Sequence, residues 1–465
     1  MLRLTWVQPE DLLGHELRQA RLDGREPSAV EARWRAAGGP DAPERAGASG
    51  HRVSRYLRLL AEDLLDELAD LPSRLADDEP TDLAAIKAAC PGWPKARTAA
   101  PLAPGAAGKA APGAAGEAAL EAAWLGRAIG CLLGKPVEKL PLDGIRALAR
   151  AAGNWPLAGY FTAKGVPREL LDAHPWNRRS AATSLAENID GMPEDDDLNY
   201  PLLNLLLLRR HGRDFTTDDV ARLWLDELPP GRTFTAERLA YRNLLAGIEP
   251  PHTARHRNPF REWIGALIRA DAHGWTNPGD PAAAAGQAHR DAVLTHTGNG
   301  VYAAMFTAAA IAAAAGGCDV HACLRTGRAV VPARSRLAKA IDHAIHLATV
   351  TPDFDDVVDE LHAVHGPAHH WVHALPNTAL IAAALTHADG DFTGSIRRAV
   401  SGGWDTDSNG ATAGSIAGLL AGTPAALPDR WRAPLKNRLA TTVADFDGTG
   451  FDTLAHLTHL EATRS

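Results

Sequence analysis

The chain has 465 residues, a formal net charge of −8 and a calculated isoelectric point near 6.2. That length allows a large core and one or two domains, and the acidic balance leaves no basic footprint for nucleic acid. Its four cysteines (Cys90, Cys131, Cys318 and Cys323) are too few for a disulfide framework, and none has the partnering Cys or His that zinc requires.

In chain order, the opening "MLRLTWVQPEDLL" lacks the basic and apolar regions of a signal peptide. The longest apolar run, "VYAAMFTAAAIAAAAGG", is alanine-rich and short of a membrane span. A soluble, cytoplasmic, monomeric protein is expected. Ala, Leu and Arg dominate while strand signals are scarce, which predicts an all-α fold. Residues 1–95 read as a helical, charged N-terminal region, with apolar spacing of three and four in "RYLRLLAEDLLDELADL" (55–71). Residues 96–117, rich in Ala, Pro and Gly, predict a mobile linker that transmits geometry poorly. The N-terminal region is therefore expected to stand apart from the chemistry of a single helical domain at 118–465.

Within that domain, "GCLLGKPVE" (130–138) carries Pro136, which ends or kinks a helix and leaves Glu138 in a turn. On local sequence Glu138 is an exposed glutamate beside Lys135 and Lys139. "MPEDDDLNYPLLNLLLLRRHG" (192–212) sets Glu194, Asp195, Asp196 and Asp197 before an apolar helix, Leu198 to Arg210, that ends at Gly212. Such a run alone is a solvated turn. This one opens a helix too apolar for the surface, and charge at the end of a buried helix needs a compensating cation. "TGNG" (297–300) reads locally as a turn and helix cap. "RTGRAVVPARSRLAKA" (325–340) is a basic patch, either solvated surface or an attraction for a diphosphate. The histidines of "VHGPAHHWVHALPNTA" (364–379) are expected in loop packing and helix-end cation roles rather than on zinc.

"SGGWDTDSNGATAGSIAGLLAG" (401–422) places Asp405 and Asp407 at the mouth of a helix of small residues, with Trp404 expected in the core. An N-cap needs only one such oxygen. An EF-hand would need a Glu where Ile416 stands. An aspartyl-phosphate loop wants a buried strand that "RRAVSGGW" does not supply. What remains is a set of hard oxygen ligands, the type that suits Mg²⁺, Mn²⁺ or Ca²⁺. Two acidic turns that each open a buried helix can converge on one or two divalent ions, with no His or Cys ligand in either.

Four segments, in order, resemble the ADP-ribosylglycohydrolase family: "LEAAWLGRAIGCLLGKPVE" (120–138), "PEDDDL", "HTGNGVYAAMF" (296–306) and "GGWDTDSNGATAGSIAG". The resemblance spans roughly residues 118–425, with Glu194-Asp-Asp-Asp standing where the family has Thr-Asp-Asp-Thr. It implies a compact, all-α orthogonal bundle with two divalent cations, Mg²⁺ or Mn²⁺, beside an ADP-ribose cleft. By the same resemblance Asp195, Asp196, Asp197, Asp405, Asp407 and Ser408 would be metal ligands, and Glu138 and Asp196 catalytic carboxylates. Gly298, Asn299 and Gly300 would offer backbone N–H groups to the diphosphate. The implied reaction is hydrolysis of the ribosyl C1″ bond of an ADP-ribosylated acceptor, whose oxocarbenium-like transition state needs an aligned water and help for the leaving group. The alternatives are a hydrolase of a nucleoside or NAD-derived small molecule, and a non-catalytic ADP-ribose sensor.

Overall fold

The computed structural model describes residues 7–42, 53–95 and 115–464. Among these residues it forms 22 α-helices and no strand, as the composition led one to expect. Two helices set the centre. Glu117–Gly134 and Thr406–Ala421 lie antiparallel and are buried along almost their whole lengths. Their sequences explain the pairing: Gly126 and Gly130 on one meet Gly414 and Gly410 on the other, glycine against glycine, and Gly134 meets Thr406. A methyl group on Gly130 would collide with the Gly410 carbonyl oxygen, and one on Gly126 with that of Gly414. The two backbones therefore touch, and the Thr406 hydroxyl closes the end by donating to the Gly134 carbonyl at 2.8 Å. This contact brings Lys135–Glu138, which follow one helix, beside Asp405–Ser408, which open the other.

The Asp196–His211 helix supplies the other acidic turn. Asp195 caps it, accepting from the Asp197 N–H at 2.9 Å, and Gly212, at φ 73°, ends it. Pro201 lies inside this helix and has no N–H to give the Asp197 carbonyl one turn back. Arg127 Nε fills that vacancy at 2.6 Å, which ties the acidic turn to the Glu117–Gly134 helix. The Gly298–Ala315 helix is long and apolar enough to cross a bilayer, yet it is wholly buried as a core helix.

The N-terminal region does not stand apart. Leu12, Leu13, Leu64 and Leu68 belong to the same apolar core as Ile129 and Leu132. Buried Arg261 pairs with Glu16 at 2.7 Å and Asp23 at 2.6 Å, and Arg336 with Glu79 at 2.7 Å. Of the expected linker, residues 96–114 lie outside the described residues. Its end is ordered: Ala115 N–H donates to Ala315 O at 2.7 Å and Glu117 begins a helix.

Candidate active site

Two acidic groups meet where the central helices join. Glu138, Asp405 and Asp407 place carboxylate oxygens within 4.8 Å of one another, and Asp195, Asp197 and Cys131 do the same with their ligand atoms. Ser408 Oγ, donating to Asp197 Oδ2 at 3.3 Å, connects the groups. The two acidic turns, some two hundred residues apart in sequence, thus lie side by side.

Within the first group, Asp405 occupies the N-cap position of its helix but makes no side-chain cap bond. Its N–H instead donates to Asn377 Oδ1 at 3.1 Å, which leaves the carboxyl turned toward Asp407. Burial pushes the Asp405 carboxyl well above the usual range, and the charge of Asp407 adds to it. Asp407 is pushed up to about 7, by burial first and then by Glu138 and Asp195. Glu138 follows the Lys135–Val137 turn, as Pro136 led one to expect, and is not a free surface residue. Asn177 Nδ2 holds its Oε2 at 2.6 Å and Lys139 Nζ its Oε1 at 2.6 Å.

The second group has cations beside it, although burial still pushes the Asp197 carboxyl well above its usual range. Lys135 Nζ pairs with Asp195 Oδ2, and Arg127 pairs with Asp197 at 3.2 Å and with Asp271 at 3.0 Å. Burial would raise the Asp195 carboxyl, but Lys135 together with the Asp197 N–H and the Cys131 thiol holds it below its ordinary value. Asp196, between them, is half-buried, and burial together with Asp195 and Asp197 pushes its carboxyl well up. Glu194 turns away to Asn199 at 2.8 Å and Arg232 at 3.0 Å.

Cys131 corrects the expectation that no cysteine would enter the clusters. Burial, followed by Asp195 and Asp197, keeps its thiol protonated, 3.9 Å from Asp197 Oδ2. Arg127 and Lys135, also overlooked, had a signal in the sequence. With Cys131 they recur every four residues along a stretch that is otherwise apolar after Glu121, one position after each glycine, and so share a face.

The Gly298–Asn299–Gly300 turn differs from its expected role. Its three N–H groups already donate inward, to Thr81 Oγ1 at 3.1 Å, Glu262 Oε1 at 3.0 Å and Thr297 O at 3.1 Å. A diphosphate would have to displace all three acceptors, so the turn is structural here. Glu262 is the hub: it also accepts from Gln19 at 2.8 Å, Arg336 at 2.9 Å and Asn299 Nδ2 at 2.7 Å. Three cations of the basic patch are paired, Arg328 with Asp342 at 2.9 Å, Arg334 with Asp78 at 2.6 Å and Arg336 with Glu79.

Trp404 is buried as expected, at φ 57°, and stacks on His362 with centroids 4.1 Å apart. Burial pushes His365 down to about 4 and His369 to about 3, so these imidazoles are neutral packing groups and not helix-end cations. Asn377, overlooked in the sequence, ties this wall to the acids. It donates to Trp371 O and His373 O at 2.8 Å and accepts from Asn409 at 2.7 Å as well as from Asp405.

Residues 112–463 match the family model described as ADP-ribosylglycohydrolase. No curated protein matches the chain. A solved structure described as an ADP-ribosylglycohydrolase-related protein complex is 19% identical and covers 75% of this chain and 98% of its own, with a TM-score of 0.47.

Proposed function

Since the chain belongs to the ADP-ribosylglycohydrolase family, we propose that it is a metal-dependent hydrolase cleaving the C1″ glycosidic bond between ADP-ribose and an acceptor group. The observation that carries this reading is the convergence of Glu138, Asp405 and Asp407. The residues fit a divalent ion. Asp405 and Asp407 are buried, hydrogen-bonded to each other, and, among the described residues, have no basic side chain within ion-pair distance. Like charges so placed need a cation or a shared proton. An all-oxygen donor set of carboxylates suits Mg²⁺ or Mn²⁺.

Asp405 and Asp407 would hold the ion, with Ser408 and the Glu138 carboxylate beside it. A divalent cation there supplies the positive charge that grips sugar hydroxyls and acidifies water. The protein's own contribution is orientation. Asn177 and Lys139 fix both oxygens of Glu138, so its carboxylate faces the site in one pose, ready to take a proton from an attacking water. Asp196, half-buried with a raised carboxyl, is the second group able to move a proton there. Trp404, next to Asp405 in the chain, is stacked on His362.

The test is release of free ADP-ribose from ADP-ribosylated arginine, ADP-ribosylated serine and ADP-ribosyl nucleotide derivatives, by EDTA-treated protein with and without added Mg²⁺ or Mn²⁺. Release that depends on the metal is expected from at least one substrate class. Tight ADP-ribose binding with no release from any of them would favour a sensor and overturn the hydrolase.

A further inference from the structure

We infer that this chain holds one divalent cation, not two, and that the Lys135 ammonium takes the place of a second cation at Asp195. The inference rests on the metal-centre reading above, and it comes from the contrast between the two acidic groups.

At Asp195 and Asp197 each carboxylate oxygen already has a donor from the protein. Asp195 Oδ1 accepts from the Asp197 N–H at 2.9 Å, and its Oδ2 from Lys135 Nζ. Asp197 Oδ1 accepts from Arg127 Nη2 at 3.2 Å, and its Oδ2 from Ser408 Oγ at 3.3 Å. Lys135 is buried, and its Nζ also reaches the Glu194 carbonyl at 3.4 Å. At Glu138, Asp405 and Asp407 the only basic partner within ion-pair distance, among the described residues, is Lys139 on Glu138. Asp195 and Asp197 thus each have a cation beside them, Arg127 being shared with buried Asp271, whereas among the described residues Asp196, Asp405 and Asp407 have none within ion-pair distance.

The lysine is also delivered by rigid structure. It follows Gly134, whose carbonyl is held by Thr406, and precedes Pro136, so its backbone is fixed from both sides. An ammonium is a compact point charge with three donors. In that position it satisfies carboxylates and repels a divalent ion, yet it gives no Lewis acidity. The water-activating chemistry then belongs to the Glu138, Asp405 and Asp407 side alone.

The experiment counts ions without using activity. EDTA-stripped protein is titrated with Mn²⁺, with bound ion measured by calorimetry and free Mn²⁺ by electron paramagnetic resonance. Wild type should bind one ion per chain, and Lys135→Ala should bind two. Lys135→Met, which keeps the stem without the charge, should follow Lys135→Ala. As a check that needs neither variant to fold, Asp195→Asn should leave wild-type Mn²⁺ affinity within about threefold, while Asp407→Asn should lower it by about tenfold or more. Two ions in wild type, one in both Lys135 variants, or an Asp195→Asn loss as large as that of Asp407→Asn would overturn the inference. No ion bound by wild type would instead overturn the metal-centre reading beneath it.

Discussion

Gly130 and Gly410 face each other so closely that neither has room for a methyl group, each pointing at the other's carbonyl oxygen. Glycine costs a helix stability relative to alanine, about 1 kcal/mol in an interior position. The cost is accepted here because the close approach sets the distance between Glu138 and the pair Asp405 and Asp407.

Gly130→Ala should therefore lower stability even though it improves helix propensity. Overpacking typically costs about 1–3 kcal/mol, more than propensity returns. Thermal unfolding with and without Mn²⁺ measures both effects, and the metal-induced rise in Tm should shrink along with the baseline. A Tm equal to or above wild type would mean that the helices can separate without strain.

Glu138→Gln should keep fold and metal-dependent stabilisation but lose turnover by about 10²- to 10⁴-fold, the usual worth of a positioned proton acceptor. The amide preserves the size of the side chain and cannot take a proton. Turnover of any ADP-ribosyl substrate at the wild-type rate would assign the proton transfer to another group, Asp196 first.

Removal of residues 1–114 should abolish stable folding. It strips Arg261 of Glu16 and Asp23, Arg336 of Glu79, and the Gly298 N–H of Thr81. Leaving one buried charge without its partner typically costs about 3–5 kcal/mol, comparable to much of a domain's net stability. A soluble fragment with a cooperative unfolding transition and intact ADP-ribose binding would contradict this.

Acidification should destabilise the protein through its buried imidazoles. Burial lowers His15 and His365 to about 4 and His369 to about 3, against an ordinary 6.5. The unfolded chain then takes up protons that the folded one refuses, so their contribution is present above pH 6.5 and is lost as pH falls toward 4. The raised carboxyls of Asp196 and Asp405 act in the opposite sense, which makes a single variant the cleaner probe. His369→Gln should lose less Tm than wild type between pH 6.5 and 4. Parallel curves would remove His369 from the account.

The helices were legible wherever apolar spacing or a breaker marked them. The acidic run before Leu198, the turn at Pro136 and the small-residue helix after Asp405 all form where their sequences point. What the sequence hid were relations between distant segments. The "TGNG" turn looks like an anion cradle until Thr81 and Glu262, both far from it in the chain, use up its donors. The N-terminal region looked separable because composition reports a linker but not the ion pairs that cross it. The spacing of Arg127, Cys131 and Lys135 puts them on one face, but only the fold aims that face at Asp195 and Asp197.

The most direct measurement is anomalous diffraction from crystals of the full chain soaked in Mn²⁺. The account predicts an anomalous peak bounded by Glu138, Asp405 and Asp407, with Lys135 still paired to Asp195. No peak at those three carboxylates, or density at Asp195 with Lys135 displaced from it, would contradict it.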